Sequence, residues 1–191
     1  PLNLSIPADG DPKQFQPKRA TASMDKSAAL SMVLAPKQGI QTRKVAILAA
    51  DGVDGEAVVG MKTALGAAGA MAKIVAPRSG VLKTASGTDL KIDFSLLTTG
   101  SVLFDALYIP GGDESVGTLL RTPKASMFTQ EAYLHCKAIA ATGAGVHVLQ
   151  AALSLPGSLQ SADKSGDVPN DEGIVVARQA SVKQIAARFI K

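Results

Sequence analysis

An open, mostly parallel α/β sheet with helices on both faces, preceded by an extended arm, is the fold class this sequence predicts. Three observations carry it. Continuous apolar runs of strand length, such as Val45-Ala-Ile-Leu-Ala49, recur along the chain from Arg43 onward. Ala-rich stretches of helical length separate them, and strands alternating with helices build parallel sheets. Apolar residues make up 46% of the chain but aromatic residues only 4%, so Ala, Val, Leu and Ile must fill the core. That palette suits helices laid on a sheet buried on both sides.

Residues 1–42 hold five prolines (Pro1, Pro7, Pro12, Pro17 and Pro36) among Asp, Gln, Lys and Ser. Prolines at that density oppose a regular core element, so this segment reads as a connecting arm ahead of a domain over residues 43–191. Its one apolar patch, Ala28 to Ala35, offers Leu30, Val33 and Leu34 as candidate contacts for a partner or a client chain.

Val45 to Ala49 is the first strand, followed by the turn Asp51-Gly-Val-Asp-Gly55. A helix from about Glu56 to Ala68 places Val59, Met61 and Leu65 near one face, and Gly69 is available to end it. Ala72 to Ala76 is the second strand, stopped by Pro77. Two polar-apolar alternations flank Ser86-Gly87-Thr88 and predict a hairpin beside the main sheet. Ala106 to Ile109 is the next buried strand, and helices near Ser115 to Leu120 and Lys124 to Lys137 follow. Ala138 to Thr142 and Gly173 to Ala177 are strands, Gly143 to Leu153 a turn and helix, and Ser181 to Ile190 a final helix.

A formal charge of +4 is spread over scattered Lys and Arg residues, which gives no support for nucleic-acid binding. A single cysteine, Cys136, excludes an intrachain disulfide, and with two histidines a metal site has little to draw on. No apolar run approaches the roughly 18 residues that span a bilayer, so no membrane partner is expected and the chain reads as soluble. The chain begins at Pro1 without a signal-peptide pattern and reads as a piece of a longer polypeptide; no targeting segment assigns a compartment.

Sites in open α/β sheets form beyond the carboxyl ends of the strands, which directs attention to the loops at Asp51, Pro110 and Gly143. The first carries Asp51, Asp54 and Glu56 and would repel a phosphate; Asp54 and Glu56 either cap the following helix or face a pocket. Gly111 and Gly112 could let backbone N–H groups approach an oxyanion, or could simply make a tight turn. Thr142-Gly-Ala-Gly-Val146 joins a strand to a helix, the context of a nucleophile elbow, but glycine has nothing with which to attack. Cys136 precedes the strand, and its pairing with His135 is no ready dyad, because adjacent helical residues point about 100° apart. It reads as a partly buried structural cysteine, and His147 as a packed or solvated residue.

Together the segments Val45–Glu56, Asp105–Gly112 and Ile139–Val146 resemble the flavodoxin-like, class I glutamine-amidotransferase-like superfamily, with its intracellular-protease, deglycase and heat-shock chaperone branches. The resemblance covers about Lys44 to Lys191. It implies that Glu56 stands at the acid position and Gly111 and Gly112 at the oxyanion turn. Gly143, Ala144 and Gly145 then replace the elbow Cys-His-Gly, so no catalytic residue remains. A degenerate elbow behind a proline-bearing arm is similar to the C-terminal domain of large-subunit haem catalases, particularly fungal ones.

That likeness implies a parent that decomposes hydrogen peroxide and binds haem in a barrel domain outside this chain. Neither Tyr108 nor Tyr133 has an Arg four residues earlier, so no haem-ligating segment is expected here. The implied partners are the barrel and the sister subunits of a tetramer, with unfolded client chains under an ATP-independent holdase role. Two alternatives stay open: a residual small-molecule hydrolase or deglycase using Glu56, and a ligand-binding module in the degenerate pocket.

Overall fold

The computed structural model describes residues 39–153, 173–178 and 181–190. Leu30, Val33 and Leu34 lie outside the described residues. Six parallel strands form the main sheet: β1 (Lys44–Leu48), β2 (Met71–Ala76), β5 (Phe94–Ser95), β6 (Ala106–Ile109), β7 (Ala138–Thr142) and β8 (Ile174–Ala177). Their spatial order is β5-β2-β1-β6-β7-β8. The predicted hairpin forms a separate antiparallel pair, β3 (Val81–Lys83) and β4 (Asp89–Lys91), with Leu82 opposite Leu90. The two-residue strand β5 was not foreseen, being too short for a periodicity to register.

Alternate residues of each central strand enter two different cores, which is why the strands read as continuous apolar runs. Ala46, Leu48, Leu107, Ile109 and Ile139 pack beneath α2 (Asp113–Leu120), α3 (Pro123–Leu134) and α4 (Gly145–Leu153). On the opposite face, Val45, Ile47, Tyr108 and Ala140 meet α1 (Gly55–Ala67) and α5 (Val182–Phe189). Gly39 to Thr42 join this body as well, since Ile40 packs on the second core and the Thr42 N–H donates to the Gly69 carbonyl at 2.9 Å.

Helix α1 buries Ala57, Val58, Met61 and Leu65, whereas Val59 is 51% exposed. The expected grouping of Val59 with Met61 is therefore corrected: two residues along a helix are about 200° around it. Helix α3 stops at Leu134, three residues before the expected end. There Cys136 has φ +52°, its N–H donates to the Tyr133 carbonyl, and the Lys137 N–H donates to the Ala132 carbonyl. Gly69 closes α1 in the same double-bonded way with φ +84°. Cys136 is exposed, which corrects the expectation of a partly buried residue.

Candidate functional site

Strand order reverses between β1 and β6, because the chain leaves β1 towards β2 and returns to the other side of β1 as β6. A crevice opens at the carboxyl ends at such a reversal. Here the loops that border it are tied to one another through their backbone. The Asp54 N–H donates to the Gly111 carbonyl at 2.9 Å, and the Gly52 N–H to Lys83 at 2.7 Å. A Cβ at Gly112, whose φ is +115°, would run into the Gly52 carbonyl oxygen and sit 2.8 Å from Val53 Cα. At Gly145 a Cβ would collide with the Ile109 carbonyl oxygen, so both glycines are demanded by close packing of three loops. The buried Ser115 hydroxyl adds a further tie, accepting the Ala50 N–H at 2.9 Å.

The three loop carboxylates have separate duties. Asp51 accepts Arg78 Nη2 at 2.7 Å and the Lys83 N–H at 2.8 Å, and that backbone donor, then the guanidinium, holds its carboxyl below the usual range. Asp54 caps α1 by accepting the Ala57 N–H at 3.1 Å. Glu56 is exposed in the first turn of α1. It lines an open recess of about 540 Å³ with Val59, Gly60, Thr84, Ser86 and Leu90, and no residue of the Gly111-Gly112 or Gly143 turns lines that recess. Glu56 thus faces the β3–β4 hairpin side of the domain.

At the elbow, Gly143 has φ +53°, donates its N–H to the Ala177 carbonyl at 3.0 Å, and lies against Gly111: a Cβ added to Gly143 would sit 3.5 Å from Gly111 Cα. The sharp strand-to-helix turn is present with room for one Cβ, but it carries no side-chain atom. Ala144 is half-buried, and His147 is exposed on α4. Sequence reasoning missed the polar pair beside this turn. Tyr108 on β6, fully buried, meets Thr142 Oγ1 at 2.7 Å. Burial, the largest cause, pushes the phenol up to about 12, and the nearby Asp54 carboxylate adds to the rise.

A doubly covered parallel sheet with this reversal defines a flavodoxin-like α/β domain. A two-domain protein from Anabaena variabilis, containing DJ-1/ThiJ/PfpI-like and ferritin-like domains, superposes with a TM-score of 0.69 at 22% identity, covering 78% of this chain and 47% of that one. Oxidised DJ-1 of Toxoplasma gondii gives a TM-score of 0.65 at 20% identity, covering 78% and 89%. At such identities the likeness is one of fold.

Within that fold the chain belongs to the family described as the C-terminal domain found in long catalases, which matches residues 41–191. Catalase HPII of Mycobacterium avium is 37% identical over 164 residues, covering 85% of this chain and 22% of that protein. Catalase-1 of Neurospora crassa is 32% identical over 140 residues, covering 73% and 19%. The chain spans about a fifth of the length of these curated relatives.

Proposed function

We propose that this chain is a non-catalytic accessory domain of a long haem catalase, stabilising the assembled enzyme and acting as an ATP-independent holdase for partly unfolded chains. The observation that carries the non-catalytic reading is Gly143: the elbow keeps its turn and its left-handed backbone but has no atom able to attack a substrate. Peroxide decomposition and haem then belong to the rest of the parent.

Neither tyrosine of the chain suits the tyrosinate ligation of a haem iron. Tyr108, one of the two tyrosines, is buried with its hydroxyl bonded to Thr142 and its phenol pushed up to about 12, which opposes the phenolate an iron ligand requires. Tyr133 stands on the outer surface of α3.

The test uses the purified chain in three assays. Expected are no Soret band and no loss of hydrogen peroxide, and background rates on glyoxal, amide and peptide substrates. The third expectation is slower heat aggregation of an unrelated client without nucleotide. A holdase matches its client's exposed surface, so protection is expected only near stoichiometric ratios. Leu30, Val33 and Leu34 changed together to Ser weaken protection if that patch binds the client. Protection no better than an equal mass of inert protein ends the holdase reading; peroxide turnover with stoichiometric haem ends the accessory reading.

A second reading, a ligand-binding module, has one observation in its favour: the Glu56 recess places a carboxylate beside the hydroxyls of Thr84, Ser86 and Thr88 over apolar Val59 and Leu90. Polyol or sugar binding lost in Glu56→Gln would support it.

A further inference from the structure

Away from the reversal of strand order, at the carboxyl ends of β1 and β2, lies a small apolar slot. It measures about 150 Å³ and is lined by Ala50, Ala76, Pro77, Leu82 and Ile92, together with Thr118 of α2. Strand alternation in β3 builds one wall: Leu82 is buried and turns inward, while its neighbours Val81 and Lys83 are exposed. An aliphatic cavity of about this size stays dry and takes up molecules as large as benzene. The slot therefore has room for a branched aliphatic side chain.

Beside the slot is a charged recess of about 480 Å³, and Asp51 and Arg78 line both. Arg78 Nη2 donates to the two Asp51 oxygens at 3.0 and 2.7 Å, and the Lys83 N–H donates to Asp51 Oδ1 at 2.8 Å, so this ion pair is fixed where slot and recess meet. Lys83, Asp89 and Glu114 complete the charges of the recess, and among the described residues none of the three forms an ion pair. Glu114 and Thr118 are four residues apart on one face of α2, which puts the carboxylate at the recess and the threonine in the slot. The absence of a side chain at Gly52 lets Glu114 lie close, since a Cβ there would sit 2.7 Å from its Oε2. Neither cavity is lined by the Gly111-Gly112 or Gly143 turns, and the recess shares only Thr84 with the one that holds Glu56.

We infer that slot and recess form one binding site for a free α-amino acid with a branched aliphatic side chain, the side chain in the slot and the zwitterionic head in the recess. An ammonium group is drawn by Asp89 and Glu114, and a carboxylate by Lys83 and by the guanidinium edge of Arg78 that Asp51 leaves open. Charge separates this ligand from others with the same tail. A monocarboxylate alone would face two carboxylates, and an amine alone would leave the basic donors unused. An apolar wall with a few convergent polar groups is the usual make-up of a small-ligand site. The inference is independent of the accessory and holdase reading, because it involves neither haem nor a client chain.

The experiment is titration calorimetry of the full chain with leucine, alanine, 4-methylpentanoate and 3-methylbutylamine. The last two are leucine without its ammonium and leucine without its carboxylate. Leucine is expected to bind about tenfold more tightly than alanine, whose methyl leaves the slot largely empty. It is also expected to bind about tenfold more tightly than either analogue, each of which forfeits charge-assisted hydrogen bonds. Thr118→Leu, which narrows the slot, should remove the preference for leucine over alanine. Glu114→Gln should weaken leucine by about fivefold and leave 4-methylpentanoate no weaker. Glu56→Gln should change neither, and circular dichroism checks that each variant folds. Should Thr118→Leu misfold, Glu114→Gln decides, since that side chain is exposed. Absence of leucine binding overturns the proposal, as does equal affinity for leucine and alanine. Leucine binding untouched by both site variants places the ligand elsewhere and overturns it too, and amine binding as tight as leucine would assign the cavity to amines instead. None of these readouts involves peroxide or client aggregation, so failure here and failure of the accessory reading are told apart.

Discussion

The phenol oxygen of Tyr108 and the hydroxyl of Thr142 lie 2.7 Å apart across β6 and β7, one residue before the chain turns at Gly143. The folded phenol is raised from 10.0 to about 12, so the fold favours its neutral form. A group raised in the folded state contributes stability that is complete below its unfolded value and is lost as pH rises through its folded value. Thermal unfolding should therefore show stability falling between pH 10 and about 12, with a shallower fall in Tyr108→Phe. At neutral pH that variant strands the Thr142 hydroxyl and should cost about 1–2 kcal/mol. Identical pH slopes for the two proteins would refute the assignment.

Gly143→Cys should fold. Its added Cβ meets Gly111 Cα at an ordinary 3.5 Å, so the main cost is a left-handed backbone at φ +53°, about 1–2 kcal/mol. In a Cys136→Ser background the new thiol, just before α4, should react with a disulfide reagent faster than an unstructured peptide thiol. A folded variant whose thiol stays inert would mean that the surrounding loops have closed over the elbow.

Cys136 occupies at the end of α3 the left-handed position that Gly69 occupies at the end of α1. Cys136→Gly should raise stability by about 1 kcal/mol, since glycine adopts that backbone without the Cβ clash. Chemical denaturation of the two proteins side by side reads the difference. A loss of stability would show that the exposed thiol makes a contact worth more than the strain.

Gly145 and Gly66 should respond oppositely to alanine. A methyl at Gly145 meets the carbonyl oxygens of Ile109 and Pro110, the latter at 2.6 Å, and backbone cannot step aside; a loss of about 2–3 kcal/mol is expected. At Gly66, on the exposed side of α1, nothing lies within 4 Å, and the helix should gain about 0.5–1 kcal/mol. Equal midpoints in denaturant for the two variants would contradict the packing described.

By itself the sequence determined the layered fold, because a parallel strand buried on both faces leaves a run such as Val45 to Ala49 that no polar residue interrupts. It equally determined that the turn after β7 has no side chain at position 143, since Gly143 is glycine in any conformation. Tertiary structure decided what depends on neighbours distant in sequence. Val59 and Met61 are both apolar, and only the placement of α1 on the sheet settles that one is covered and the other is not. Thr142 lay within a quoted motif, yet its partner Tyr108 is 34 residues away and is brought beside it by strand register. Glu56 follows a loop that packs on Gly111, but the helix turns its carboxylate towards the hairpin. Val102, Leu103 and Leu134 carry no periodic signal, and the exposure of each follows from how the turn at Ser101 is bonded to Glu131 and Lys137 and from where α3 ends. Local chemistry is written residue by residue; which faces are left uncovered follows from how the helices dock.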